Sequence, residues 1–590
     1  MLSAMTVHFV PVDRPRTSVG QGSGDGSQPS CDPEIIAGYL RDASGVVGQA
    51  SALFRPESEA DVGEILARAH REQIAVTVVA GQTSTTASSV PSEGWVLSTE
   101  RLSKHGEVDA AGLRAICQAG VRLGEFQDRL AEAGLMYPPD PTSRYECTLG
   151  GSVACNASGP RSHRYGATRR WIRALRIALM CGEVIHLRRG DWVGRPGDHF
   201  EIVHAADPER CAFRGSKDPP HGRVPVPSFS MPDEIKNAAG YYGGSEVDLI
   251  DLFIGSEGTL GVVTEVEVEL VPMPESCLSL FVFFEEESRA LELIESTRVS
   301  PASTSRTASQ TTTPTTTPTT RPDSLEWFDR ASLQLIAKAM PDFKVPERAR
   351  VALFIEQFHS EADGADLTRD WFALVERCDA MISEPGGVRV AQTAEQHEEL
   401  RRVRHAVPVG VNERAARNGM PKLGTDLSVA DEHLRTIVAL YHRAAAQPLQ
   451  LLDASALRTL LADLGFEIGP VDPISPQVLR AAGLPQSLEA VTFGHVGDNH
   501  LHVNFLPRDP AGLALARSVY SHLTRVVIEM GGSPSAEHGI GKIKRAALRQ
   551  RVGEVGIAEM LAVKRALDPH GCLGRGNLFE EPEVARAAPD

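Results

Sequence analysis

The chain has 590 residues, enough for two or three domains with their own cores, and its 42% hydrophobic and 23% charged residues suit a soluble globular protein. A formal charge of −17 without a concentrated basic stripe argues against a nucleic-acid binder, and an anionic substrate would be held by locally placed cations. No apolar run is long enough to span a membrane, and the N-terminal MLSAMTVHFVPVDRPR lacks the apolar core of a signal peptide. The first 30 or so residues, rich in Gly, Ser and Pro, read as a disordered leader, and residues 1–44 hold this leader and a first helix. A helix starts after Ser58, with Asp61 three residues on and Val62, Ile65, Leu66 and Ala69 at helical spacing. A β-branched strand, Ile74 to Val79, then runs into Gly81-Gln82-Thr83-Ser84-Thr85-Thr86. A strand from Leu113 to Gln118 and a helix carrying Leu123, Phe126, Leu130 and Leu135 follow.

Two further glycine-bearing stretches appear, PTSRYECTLGGSVACNASGPRSHRYG from Pro141 and GSEGTLGVVTEVEVEL from Gly255. Glycine-rich loops after strands let backbone N–H groups approach phosphate oxygens, although turns and close packing need glycine too. Three in one α/β or α+β region favour a large phosphate-bearing cofactor; none is a GxGxxG fingerprint or a Walker loop. The Ser/Thr/Pro tract 299–322 cannot bury apolar surface and reads as a solvated insertion. Beyond it come helices at 362–378 and 431–446, and a segment 450–486 of helical stretches and turns. The nine cysteines at 31, 117, 147, 155, 181, 211, 277, 378 and 572 form no CxxC pair; such a dispersed set reads as reduced thiols in a cytoplasmic protein.

The most specific chemistry lies near the C-terminus, in GHVGDNHLHVN from Gly494 and AEHGIGKIK from Ala536. The alternation of Leu501, Val503 and Phe505 with His500, His502 and Asn504 predicts a strand, with His495 on the strand before the turn. Three imidazoles and the Glu537 carboxylate suit a divalent metal, while His538 stands beside them as a proton acceptor. A lone histidine is more often structural; three within eight positions around a turn are harder to explain that way.

Taken together, AGQTSTTASSVP, PPDPTS with TLGGSVACNASG, GSEGTLG, GHVGDNHLHVN with AEHGIGK, and the terminal LGRGNLF resemble one family. The chain looks like an FAD-linked D-2-hydroxyacid dehydrogenase of the vanillyl-alcohol-oxidase, PCMH-type superfamily, over roughly residues 45 to 580. The resemblance implies an α+β chain. It has a PCMH-type FAD-binding domain over 45–272, and a C-terminal cap domain with an antiparallel sheet over 273–565. A closing segment, 566–590, returns to the FAD. It assigns Gly81, Gln82, Thr83, Ser84, Thr85 and Thr86, with Pro141, Thr142 and Ser143, to the pyrophosphate and ring. Gly150, Gly151, Asn156 and Gly159 would line the cofactor, with Gly258 and Val262 near the adenine half and Asn577 reaching back from the tail. No histidine lies between Gly81 and Pro91, so the flavin is expected to be non-covalent.

In the cap, the resemblance puts His495, His502 and Glu537 on the metal (zinc, manganese or iron) and makes His538 the base. Arg404 and Lys422 would hold the substrate carboxylate, and Asn504 would hydrogen-bond the substrate. Asn499-His500 stands where many relatives have Gly-Asn, so the number of ligands stays open. The first loop is also richer in Thr and Ser than is common in the family.

The implied reaction is oxidation of a D-2-hydroxy acid, D-lactate foremost, to the 2-oxo acid. The hydride goes to flavin N5 and the hydroxyl proton to His538. A quinone, a cytochrome, an electron-transfer flavoprotein or oxygen would take the electrons. Peripheral membrane contact and a homodimer stay open. Two competing readings are an FAD-dependent alkyl transferase of the same superfamily and a metal-dependent hydrolase without flavin.

Overall fold

Strand, turn and helix signals before residue 273 become a mixed unit of short sheets and helices in the computed structural model, which describes residues 4–8, 26–203, 223–232, 234–298, 320–466 and 475–580. Most of the N-terminal leader, the tract 299–319 and part of the 450–486 segment lie outside the described residues. The chain divides into two units, Met1–Gly159 with Gly166–Met273 and Ser533–Asp590, and Pro160–Tyr165 with Pro274–Gly532. The last stretch, Ser533–Asp590, belongs to the first unit and carries Glu537 and His538.

In the first unit, helix Glu59–Glu72 opens on a capping box: Asp61 N–H donates to Ser58 Oγ at 3.2 Å and Ser58 N–H to Asp61 Oδ2 at 3.0 Å. Val62, Ile65, Leu66 and Ala69 pack in one core with residues of the parallel strands Ala52–Phe54, Trp95–Ser98 and Val76–Val79. A five-stranded antiparallel sheet runs in the order His105–Asp109, Arg114–Gln118, Val262–Glu269, Ile172–Ala178, Val184–Arg188. The helix expected to carry Leu135 ends at Glu132; Gly134 turns the chain at φ +70°, and Leu135–Met136 pair as a short strand with Val271–Pro272.

The second unit is built on an eight-stranded antiparallel sheet. Its path is Val388–Ala391, Ser276–Phe284, Val351–His359, Ser324–Asp329, Ala490–His495, His500–Phe505 and Leu423–Gly424, with Leu427–Ser428 also on His500–Phe505. Two-residue alternation gives the sheet two apolar faces. Leu278, Leu280 and Val282 join one core, with residues of helices Gly364–Arg377, Leu434–Ala446 and Pro510–Glu529. Phe281, Phe283, Phe328 and Phe354 join the other, under helices Arg330–Ala339 and Ala394–Asn418. Helices expected at 362–378 and 431–446 appear at Gly364–Arg377 and Leu434–Ala446. Among the described residues no helix is long and apolar enough to cross a membrane.

Candidate functional site

The strand pair Ala490–His495 and His500–Phe505 turns through Val496–Asp498 and closes on Asn499 in the left-handed region, at φ +52°. The register sets His495 opposite His500 and Phe493 opposite His502, so the three imidazoles share a face while Leu501, Val503 and Phe505 enter the core behind. Their ring centroids lie 4.4 to 5.8 Å apart, and each offers a nitrogen within 4.8 Å of the others. Gly494 makes room for this: a Cβ there would sit 2.9 Å from His502 Cδ2.

The far nitrogens are engaged. His495 Nδ1 lies 2.5 Å from Glu326 Oε1, and His502 Nδ1 lies 2.9 Å from the Thr425 carbonyl oxygen. Both hydrogen bonds favour the tautomer with its lone pair on Nε2, the donor a metal takes. His500 differs: it is fully buried, with Nε2 3.0 Å from Asp426 Oδ1. The donor set fits a divalent ion, with His495 and His502 better prepared than His500.

Arg404, expected on a substrate carboxylate, has Nε 3.2 Å from Glu326 Oε2, and its Nη2 donates to Oε1 at 3.4 Å. Burial alone would raise the Glu326 carboxyl; Arg404 and then His495 overcome this and hold it well below the usual carboxylate range. Lys422 is exposed just before strand Leu423–Gly424. Asn504 shares the histidine face, buried, with Nδ2 donating to the His502 carbonyl at 3.3 Å.

In the first unit the expected flavin residues come together from separate stretches. Gly81 passes so close to the backbone of 146–147 that a Cβ would lie 2.3 Å from the Glu146 carbonyl oxygen, which packs the loop against the end of the segment holding Pro141, Thr142 and Ser143. The backbone N–H groups of Thr83, Ser84 and Thr85 donate to no protein acceptor among the described residues. A run of three such donors fits phosphate oxygens. Gly150 and Gly151 sit in helix Leu149–Ala154, Asn156 at φ +48° takes Arg169 N–H at 2.9 Å, and Gly159 passes close to Asp140.

Other expected cofactor residues are committed to the protein. Gln82 Nε2 donates to the Gly38 and Arg41 carbonyls at 3.0 and 2.6 Å. Thr86 Oγ1 donates to the His538 carbonyl at 3.2 Å. Gly258 lies at φ +67°, and Val262 is in the core of the first unit. Asn577 Nδ2 donates to the Ser88 and Glu257 carbonyls at 2.8 and 3.1 Å, while its Oδ1 accepts from Lys542. Asn577 thus acts as a tie between three stretches of the same unit.

Glu537 accepts from the buried Lys236 ammonium and from Ser158 Oγ at 3.2 Å. The loop after His538 is held by Glu257, whose oxygens take Ile540 N–H and Gly541 N–H at 2.7 Å each. Lys236, Ser158, Glu257 and Glu326 were not foreseen as site residues. Lys236 opens the stretch KNAAGYYGG, a small-residue segment that could have been read as a fourth loop.

The family description "FAD binding domain" matches residues 50–188, and "FAD linked oxidases, C-terminal domain" matches 297–578. The chain belongs to the FAD-linked oxidases, flavoproteins with a PCMH-type FAD-binding domain and a C-terminal oxidase domain. Within that family it is 25% identical to the glycolate oxidase subunit GlcD of Bacillus subtilis, over 90% of this chain and 88% of that one. It is 26% identical to a D-2-hydroxyglutarate dehydrogenase of Xanthomonas citri pv. viticola, over 91% of each chain. A D-lactate dehydrogenase of Anaerostipes hadrus is 24% identical, over 92% of this chain and 93% of that one. In fold it resembles an alkyldihydroxyacetonephosphate synthase, with a TM-score of 0.55 and 16% identity over 90% of this chain and 76% of that one. The family resemblance carried by the motifs is borne out, and the chain is an FAD-linked oxidoreductase.

Proposed function

We propose that this protein oxidises a small D-2-hydroxy acid, D-lactate first among them, to the 2-oxo acid. The observation that carries the reading is the pair His495 and His502, each with Nδ1 engaged in a way that favours a lone pair on Nε2, in an FAD-linked oxidase chain. The FAD, held without a covalent bond, and the divalent ion supply a hydride acceptor and a Lewis acid for the substrate hydroxyl. His495 and His502 would hold the ion, and by the family resemblance Glu537 would add a carboxylate ligand, itself tied by Lys236 and Ser158. His538 takes the hydroxyl proton. Lys422 supplies a cation for the substrate carboxylate, and the Asn504 amide donates to the same end. Thr83, Ser84 and Thr85 would offer their backbone N–H groups to the pyrophosphate. The names of the three relatives keep the size of the substrate open between two-, three- and five-carbon acids.

The test is the visible spectrum of the purified protein under anaerobic conditions, with D-lactate, L-lactate, glycolate and D-2-hydroxyglutarate added separately. Bleaching of the flavin band by D-lactate and not by its L-isomer is the expected result. Bleaching by glycolate or D-2-hydroxyglutarate alone would keep the reaction and change the substrate. A flavin band that no 2-hydroxy acid bleaches would sink the reading and turn attention to alkyl transfer.

A further inference from the structure

Strand Ser324–Asp329 sends Leu325 and Trp327 into one core and turns Ser324, Glu326 and Phe328 to the opposite face, under helix Ala394–Asn418. A carboxylate buried at 2% exposure on that face costs several kcal/mol of desolvation unless it is paired and hydrogen-bonded. The helix supplies partners at helical spacing. His397 Nδ1 lies 2.8 Å from Ser279 Oγ, Arg401 Nε 3.6 Å from Glu356 Oε1, and Arg404 Nε 3.2 Å from Glu326 Oε2. The last of these contacts reaches the histidine cluster, because the other Glu326 oxygen takes His495 Nδ1.

The two imidazoles are thus supported differently. His502 leans on a backbone carbonyl, that of Thr425, and His495 on the Glu326 side chain. A carboxylate behind a ligating imidazole fixes its tautomer and makes the other nitrogen a stronger donor. The geometry points to Glu326 as a positioning residue that sets His495 for the divalent ion, with Arg404 as the cation that holds Glu326. This rests on the metal reading above and adds to it the source of His495's orientation and basicity.

Cobalt(II), titrated into the full-length, flavin-loaded protein after metal removal and followed by its ligand-field absorption, is the probe. Glu326→Gln should weaken cobalt binding by about 10–100-fold and alter the absorption band, with flavin content unchanged. Arg404→Met should weaken it in the same direction. If the Gln variant does not fold because Arg404 is left buried beside a neutral group, the Glu326→Gln/Arg404→Met double variant carries the same expectation. Cobalt affinity and spectrum equal to wild type in a folded Glu326 variant would overturn the proposal. Unaltered cobalt binding in Arg404→Met would remove that residue from the support of Glu326. Failure of the underlying reading looks different: wild-type protein that binds no cobalt, or binds it equally after His495→Ala/His502→Ala, overturns the metal centre itself.

Discussion

Glu257 lies where two consecutive backbone N–H groups converge, those of Ile540 and Gly541, just beyond His538. Burial pushes its carboxyl up to about 7, against the pull of the two N–H groups. A carboxyl raised above its unfolded value favours the folded state only while it is protonated. Its contribution is therefore fully present below the ordinary value of 4.5 and is lost as pH rises through about 7. The span corresponds to about 3 kcal/mol at most. Glu257→Gln should show a smaller fall in stability between pH 4.5 and 7 than wild type, measured as the urea midpoint at several pH values; an equal fall would place the dependence on other groups. At this scale the sequence was readable where chemistry is local. Three histidines within eight positions point to a cluster from their spacing, and their rings do lie together on one face. Glu326 and Lys236 announced nothing, because their partners His495 and Glu537 are 169 and 301 residues away. Only the folded chain makes them site residues.

Helix Ala394–Asn418 shows how one element can serve packing and chemistry on a single buried side. Leu400, Val403, Val407 and Val411 pack among the phenylalanines of the sheet, while His397, Arg401 and Arg404 face its polar end. Leu400→Ala should cost about 2–5 kcal/mol, because the rigid aromatic core cannot fully close the cavity. Arg401→Ala, which loses a partly exposed ion pair, should cost under about 1 kcal/mol. Urea unfolding of the two variants checks the ranking, and a larger loss for Arg401 would show that the polar end carries the packing. This helix escaped sequence reading for physical reasons. Polar residues share its buried side, so the apolar period is weak, and Pro408 inside it reads as a breaker. Glu59–Glu72 was legible because its cap is local and its apolar stripe unbroken. Leu123–Glu132 was legible except at its end, where Leu135 kept the apparent period after Gly134 had turned the chain.

Considered whole, the chain builds its first unit from stretches at both ends of the sequence, and the tail is what joins them. Val76 N–H donates to the Cys572 carbonyl at 2.8 Å and Gly574 N–H to the Val76 carbonyl at 2.9 Å, so the tail adds to the edge of the parallel strands. Lys564 fixes the turn before it. Its buried ammonium donates to Asp568 Oδ2 at 2.5 Å and to the carbonyls of Thr259 and Leu573 at 2.6 and 2.7 Å. Asp568 in turn accepts Cys572 N–H at 3.1 Å and Leu573 N–H at 2.7 Å. Lys564→Met leaves a buried carboxylate without its cation and should cost about 3–5 kcal/mol. Replacing Asp568 by an apolar residue as well would not repair this, since the N–H groups of Cys572 and Leu573 would lose their acceptor. Lys564→Met/Asp568→Asn removes the charge and keeps an acceptor oxygen, so it should recover a large part of the loss. Urea unfolding followed by flavin release reports on this unit, because the expected flavin loops lie in it. A Lys564→Met midpoint equal to wild type, or a double variant no better than the single one, would show that the tail is held by its strand pairing and the Asn577 tie instead.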